Sequence, residues 1–235
     1  MPDRDLSPAE LKNLQYDREA LEVMRRCMGA DSLGIDGGAH QGEFLRQMLR
    51  VAPRGRHYAF EPLPVFAEEL EQGFPSVRVR PWALGKESGT ASFCHVINDP
   101  GYSGLRERTY DRPDPELRNL EVRVVRLDDV LDEGDAPAFI KLDLEGGEYD
   151  ALLGAEETLR RHRPVIVFEA GEPSSGHYGV TPAMIHALFR ERLGYELTTM
   201  ARWLAGQSPF SEAEFLERYP EDFYFLGDPG TPSPP

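Results

Sequence analysis

Four apolar runs in the sequence end in an acid: Asp36 after LGI, Glu61 after YAF, Asp143 after FIKL and Glu169 after PVIVF. An open α/β sheet holds its ligand in the crevice beyond the carboxyl ends of its strands, so acids placed there are the side chains available for chemistry. Four carboxylates converging on one crevice repel one another unless cations or hydrogen-bond donors lie between them. The turn after the first run, IDGGAHQGEF, supplies Gly37, Gly38 and Gly42, which permit positive φ and close approach of backbone to a ligand. Two ligands compete for that turn, beside a purely structural strand-to-helix turn. A dinucleotide calls for G-x-G-x-x-G, and Gly37, Ala39 and Gly42 fit only with alanine where pyrophosphate presses on the backbone. The spacing D-x-G-x-x-x-G through Asp36, Gly38 and Gly42 turns a carboxylate toward a cationic ligand, of which S-adenosylmethionine, with its ammonium and sulfonium, is one. Glu61 follows Asp36 near the roughly 20-residue offset at which an acid meets a ribose hydroxyl pair.

Strands and helices must alternate to bring those acids together. Ser7 and Pro8 read as a helix cap and first turn, with Leu11, Leu14, Leu21 and Met24 near helical spacing over 7–29. After the glycine turn come a helix over 42–50, a strand over 58–60 stopped by Pro62, and a helix over 64–73. VRVRPWALG reads as one strand, and GTASFCHVI and LEVRVVRLDDVL as two more, flanking a Gly/Pro/Arg-rich loop over 98–118 that is a candidate lid. AFIKLDLE and PVIVFEAG are buried strands, GGEYDALLGAEETLRRH and TPAMIHALFRERLG are single helices, and YELTTM and DFYFLGD close the series as strands. This order predicts an α/β fold with a doubly wound, mostly parallel sheet. The expected organisation is a helical extension over 1–30, a ligand-binding domain over 31–228 and a mobile tail over 229–235, where nothing apolar is available to bury.

Composition narrows the function classes. With 41 acidic and 26 basic residues the net charge is −15, and no Lys/Arg cluster tracks a phosphate backbone, which excludes nucleic acid and anionic membrane surfaces as expected partners. The start is polar, and no run reaches the ~20 apolar residues of a membrane span, so a cytoplasmic protein is expected. Cys27 and Cys94 stand far apart without the paired ligands of a zinc site and read as buried thiols. Oligomeric state leaves no mark in these patterns.

Taken together, IDGGAHQGEF, YAFEP, WALG, LDDVL, IKLDLEGGEYDALLGA and PVIVFEAG resemble, in order, the motifs of the FkbM family of S-adenosylmethionine-dependent methyltransferases. The resemblance runs from about Leu33 to Glu169, and its most specific element is IKLDLEGGEYDALLGA. It implies a Rossmann-like, seven-stranded class I methyltransferase sheet with helices on both faces and the last strand antiparallel. It also implies O-methylation of a hydroxyl on a small-molecule natural product or sugar. His40 stands where the family more often has Asn or Tyr, and the segment after Glu169 has no counterpart in the motif set.

Methyl transfer needs the nucleophile, carbon and sulfur held in line and the acceptor hydroxyl deprotonated. For the cofactor the expected contacts are Gly37, Gly38, Ala39, His40 and Gly42 around the turn, Asp36 toward its ammonium group and Glu61 on the ribose. Trp82 and Ala83 are expected along the adenine, with Trp82 equally readable as core. Asp143 is placed nearest the reactive methyl. The candidate bases are Asp143 and His177, the latter in the loop GEPSSGHYG, where an imidazole can take a proton or simply be exposed. Asp143, Glu145 and Glu169 form an alternative oxygen-ligand set for magnesium or calcium, although Glu145 and Glu148 also suit a helix start. The loop with Tyr102, Ser103 and Arg106 resembles the family's serine-containing segment and is expected to close over the acceptor. Arg106, Arg108 and Arg112 are candidates for an anionic group on it, or for plain surface. Two other functions stay open at this level. The G-x-A-x-x-G spacing allows a nicotinamide-dependent oxidoreductase or epimerase, against which the missing Tyr-x-x-x-Lys pair weighs, and a non-catalytic nucleotide-binding module keeps the fold without the chemistry.

Overall fold

The computed structural model describes residues 8–110 and 113–230; Ser7, Arg112 and residues 231–235 of the expected tail lie outside them. Seven strands form one sheet in the order β3-β2-β1-β7-β8-β10-β9. They are β1 (Leu33–Gly37), β2 (Tyr58–Phe60), β3 (Arg78–Arg80), β7 (Pro137–Leu142), β8 (Val165–Glu169), β9 (Glu196–Thr198) and β10 (Tyr224–Asp228). The pairs β1–β2, β2–β3, β1–β7 and β7–β8 are parallel, and β10 runs antiparallel to both β8 and β9. The expected sheet with its antiparallel last strand is therefore present.

Both faces are buried, which explains strands that are apolar throughout rather than alternating. Ile166 and Phe168 of β8 point into one core with Ile35, Phe60, Ile140 and Leu142, packed under α4 (Glu148–Leu153), α5 (Glu156–His162), α7 (Pro182–Ala187) and α9 (Glu212–Arg218). Val165 and Val167 enter the opposite core with Ala59 and Phe139, under α1 (Pro8–Cys27), α2 (Glu43–Val51), α3 (Pro64–Gly73) and α8 (Met200–Leu204). α1 is thus built into the domain. Its buried stripe is Tyr16, Ala20, Val23 and Met24, whereas Leu11 and Leu14, expected on that face, are 54% and 40% exposed.

Four expectations are corrected. VRVRPWALG is two strands, because Pro81, which has no N–H to continue the ladder, separates β3 from β4 (Trp82–Leu84). β4 leaves for a second sheet of order β4-β6-β5, in which β5 (Gly89–Val96) pairs antiparallel with β6 (Leu117–Val125). The helix expected over GGEYDALLGAEETLRRH is broken between α4 and α5, where Gly154 lies so close to Gly85 that a Cβ would stand 2.0 Å from its carbonyl oxygen. The helix after Thr181 changes at Leu188 into a π-helical turn over Leu188–Leu193.

One contact at the centre is tight enough to dictate a residue. Gly38, at φ +74, passes so close to the end of β7 that a Cβ would lie 1.9 Å from the Asp143 carbonyl oxygen. Gly38→Ala is therefore expected to destabilise the fold by about 3 kcal/mol or more, by clash and positive φ together. Gly73→Ala, where an added Cβ would meet nothing within 4 Å, is the matched control and should be near neutral. Denaturant titration of both variants checks this; equal stabilities would contradict it.

Candidate functional site

The carboxyl ends of β1, β2, β4, β7 and β8 open into a cleft of about 940 Å³. Gly38, Ala39, His40, Glu61, Trp82, Ala83, Ser103, Asp143, Glu145 and Glu169 all line it. Asp36, Gly37, Gly42 and His177 do not appear on its wall, Asp36 because it is fully buried. Gly37 is packed between Leu84 and Leu142. Gly42 caps α2 at φ 78, and a side chain there would run into Leu70 and Phe74 of the α3 segment. The two glycines that suggested a nucleotide motif are thus required by packing, and only Gly38 of the three borders the cleft.

At its floor lies a cation that the reading of strand-end acids passed over. Lys141 stands opposite Asp36 in the β1–β7 register and is buried. Its Nζ donates to the Gly38 carbonyl at 2.9 Å and lies 3.4 Å from Asp36 and 3.5 Å from Asp143 Oδ2. Burial opposes the lysine's charge, but Asp36 and Asp143 together outweigh it and raise its pKa. Asp36 is fully buried, which raises its own pKa against the pull of Lys141. The signal was in the sequence: a lysine inside FIKL, within a buried apolar strand, cannot be a solvated surface charge.

Asp143 is 28% exposed and its Oδ2 also accepts a 2.6 Å hydrogen bond from the Tyr224 hydroxyl, brought in by antiparallel β10. Asp143 does not cap the following turn. Glu148 does so, accepting from the Leu144 N–H at 2.5 Å and the Gly146 N–H at 3.4 Å while buried at the first position of α4. Glu61 is almost fully buried; its two oxygens accept the His40 N–H at 2.8 Å and the Leu63 N–H at 2.9 Å. Each oxygen keeps a lone pair, and burial pushes its carboxyl up to about 7. His40, at φ 45, packs against Phe66 with 4.3 Å between ring centres and the rings tilted by 53°, and burial lowers its pKa, favouring the neutral ring.

Asp143, Glu145 and Glu169 offer oxygens within 4.8 Å of one another. Glu145 does not start a helix: it has φ 56, is largely buried and is ion-paired with Arg108. Burial, then Asp143 and Glu148, raises the Glu169 pKa well above the ordinary value. The candidate lid crosses this side. Pro100, Tyr102, Ser103, Leu105 and Arg108 line the cleft, Arg108 lies over the Tyr102 ring, and the Ser103 hydroxyl accepts the Val96 N–H. Arg106 donates to the His177 carbonyl and lies over the Tyr178 ring, and the His177 Nε2 accepts from the Thr109 N–H at 3.2 Å. His177 thus meets the lid rather than the cleft. Trp82 meets the guanidinium groups of Arg80 and Arg123 while lining the cleft. On the opposite wall Asn13, Tyr16 and Asp17 come from α1, which sequence reasoning treated as an extension.

The family profile described as Methyltransferase FkbM domain matches residues 36–197. The chain belongs to the FkbM methyltransferase family. That match carries the likeness past Glu169, where the motifs alone ended, and it replaces the nicotinamide and non-catalytic readings. Among curated proteins the chain is 28% identical over 206 residues to Methyltransferase sdnD of Sordaria araneosa, covering 74% of this chain and 77% of that protein. It is 27% identical over 170 residues to the 2-O-methyltransferase NoeI of Sinorhizobium fredii, covering 64% and 67%. The solved structure of a methyltransferase FkbM from Methylobacillus flagellatus shares the fold at a TM-score of 0.52 and 20% identity. That match covers 85% of this chain but 44% of the other, so the matched region spans less than half of that protein's length.

Glu61 and Glu148, both with carboxyls raised to about 7 from 4.5 by burial, bind their protons more tightly folded than unfolded. Their contribution to stability is complete at low pH and is lost as pH rises through 4.5 to about 7. The melting temperature should therefore fall between about pH 5 and about pH 8, and Glu148→Gln, which keeps an acceptor oxygen for the turn, should flatten that slope. Calorimetric melts of both proteins check this; identical slopes would contradict it.

Proposed function

We propose that the chain transfers a methyl group from S-adenosylmethionine to a hydroxyl of an uncharged small molecule. The observation that carries this reading is Glu61, a buried carboxylate on the cleft wall with one lone pair left on each oxygen. It suits a pair of ribose hydroxyls. Trp82, Ala83 and Leu84 give the same end of the cleft an apolar wall for adenine, and the Gly38–His40 turn would carry the amino-acid end. When bound, the cofactor supplies an electrophilic methyl on a sulfonium sulfur. The chain's part is to orient, to keep water out with the lid residues Tyr102, Ser103, Leu105 and Arg108, and to take the acceptor's proton. Asp143 is the proposed proton acceptor: it is partly exposed, and Oδ2 is fixed by Tyr224 and Lys141, which leaves Oδ1 to meet the acceptor.

The relative whose name specifies a 2-O-methyltransferase supports a hydroxyl acceptor. So does the committed state of the cleft's cations. Lys141 is shared by Asp36 and Asp143, and Arg108 is paired with Glu145, which leaves neither for an anionic acceptor. A natural product or sugar fits that chemistry. Among the described residues no helix is long and apolar enough to cross a membrane.

Calorimetry with S-adenosylhomocysteine tests the reading. Micromolar binding supports it, and no binding by folded protein overturns it. Glu61→Ala should weaken that binding tenfold or more, because charge-assisted bonds to hydroxyls contribute roughly 1.5 to 3 kcal/mol each. With the free carboxyl at about 7, affinity should also decline as pH drops below that value, since only the ionised form accepts from both hydroxyls. Asp143→Asn should reduce turnover by roughly 10² with little change in melting temperature, the scale of a lost general base. Unchanged turnover on an acceptor that the wild type methylates would remove Asp143 from the chemistry.

A further inference from the structure

Around the cleft the acids differ in how their charge is met. Glu145 is paired with Arg108, Glu61 is held by two backbone N–H groups, and Glu169 is raised toward its neutral form by burial and its acidic neighbours. Asp36 and Asp143 share one ammonium, Lys141, which lies between them at 3.4 and 3.5 Å. Two carboxyl groups set against one ammonium leave the set one formal negative charge in excess. Asp36 is fully buried, so the excess is presented at Asp143, whose side chain is 28% exposed on the cleft floor. Tyr224 fixes Oδ2 from the side of β10, which leaves Oδ1 as the open end of the group. Asp143 also lies directly against the Gly38 turn, as the 1.9 Å approach of a Cβ at Gly38 to the Asp143 carbonyl oxygen records.

We infer that the Asp36–Lys141–Asp143 set makes the cleft select the cationic methyl donor over its neutral thioether product, with Asp143 as the discriminating residue. This rests on the proposed cofactor reading and adds to it a basis for product release. S-adenosylmethionine carries one net positive charge through its sulfonium, ammonium and carboxylate, and S-adenosylhomocysteine carries none. Transfer of the methyl removes the sulfonium charge, so the attraction that seats the donor is lost when the reaction is complete. Partly buried charges are weakly screened, which lets a single charge count in the affinity.

Three ligands separate the possibilities in equilibrium binding to the full-length protein: S-adenosylmethionine, S-adenosylhomocysteine and 5′-methylthioadenosine, which keeps the nucleoside and thioether but lacks the amino acid. The wild type should prefer the first over the second by about tenfold, a difference of roughly 1.4 kcal/mol. Asp143→Asn should bring that ratio close to one, while methylthioadenosine affinity stays within about twofold. Equal loss for all three ligands would assign Asp143 a structural role, and an unchanged ratio would show that its charge does not face the sulfur; either overturns the inference. A variant that fails to fold is replaced by Asp143→Ser. A wild type that binds none of the three refutes the cofactor reading itself, which is a separate result from a wild type that binds donor and product equally.

Discussion

Lys141 is the buried cation on which the centre of the molecule depends. It joins the two middle strands of the sheet by an ion pair to Asp36 and a hydrogen bond to the Gly38 carbonyl, and it reaches Asp143 at the strand's end. Removing one partner from a buried pair costs roughly 3 to 5 kcal/mol, because the remaining charge is left without compensation. The same ammonium stands between two carboxylates of neighbouring parallel strands that would otherwise only repel one another. Stability and the electrostatics of the cleft floor therefore rest on one side chain.

Around that centre each element contributes a different constraint. The close passage of Gly38 under β7 sets the turn, and the turn presents the His40 N–H to Glu61. Antiparallel β10 brings Tyr224 to Asp143, and α1 in turn grips that strand's start, with Tyr16 packed on Tyr224 at 5.2 Å and its hydroxyl accepting the Phe223 N–H. The helix at the beginning of the chain and the strand near its end thus meet beside the same carboxylate. The loop between β5 and β6 closes the other side through the buried Arg108–Glu145 pair.

Much of this was legible in the sequence because buried parallel strands write themselves as uninterrupted apolar runs, and the acids at their ends stand out. Glu61, Asp143 and Glu169 do line one cleft, whereas Asp36 is buried against Lys141 and does not reach its wall. What was not legible depends on long-range contact. Pro81 breaks what reads as one strand, and that the second half joins another sheet is decided by β6, some forty residues on. The packing role of Gly42 lies in Phe74, and Glu148 rather than Asp143 caps the turn because the chain folds back at Gly146. Tyr224 and Tyr16 carried no motif at all; only the antiparallel strand and the helix packed beside it bring them to the cleft. Lys141 is the instructive omission, since its apolar surroundings in FIKL already said it was buried and therefore paired.

The most direct test is a crystal structure of the protein with S-adenosylhomocysteine. The account predicts both ribose hydroxyls within hydrogen-bond distance of the Glu61 oxygens, adenine along Trp82 and Ala83, and the sulfur on the Asp143 side of the cleft with Lys141 still between Asp36 and Asp143. A ligand seated elsewhere, or in this cleft with Glu61 and Asp143 out of contact, would contradict it.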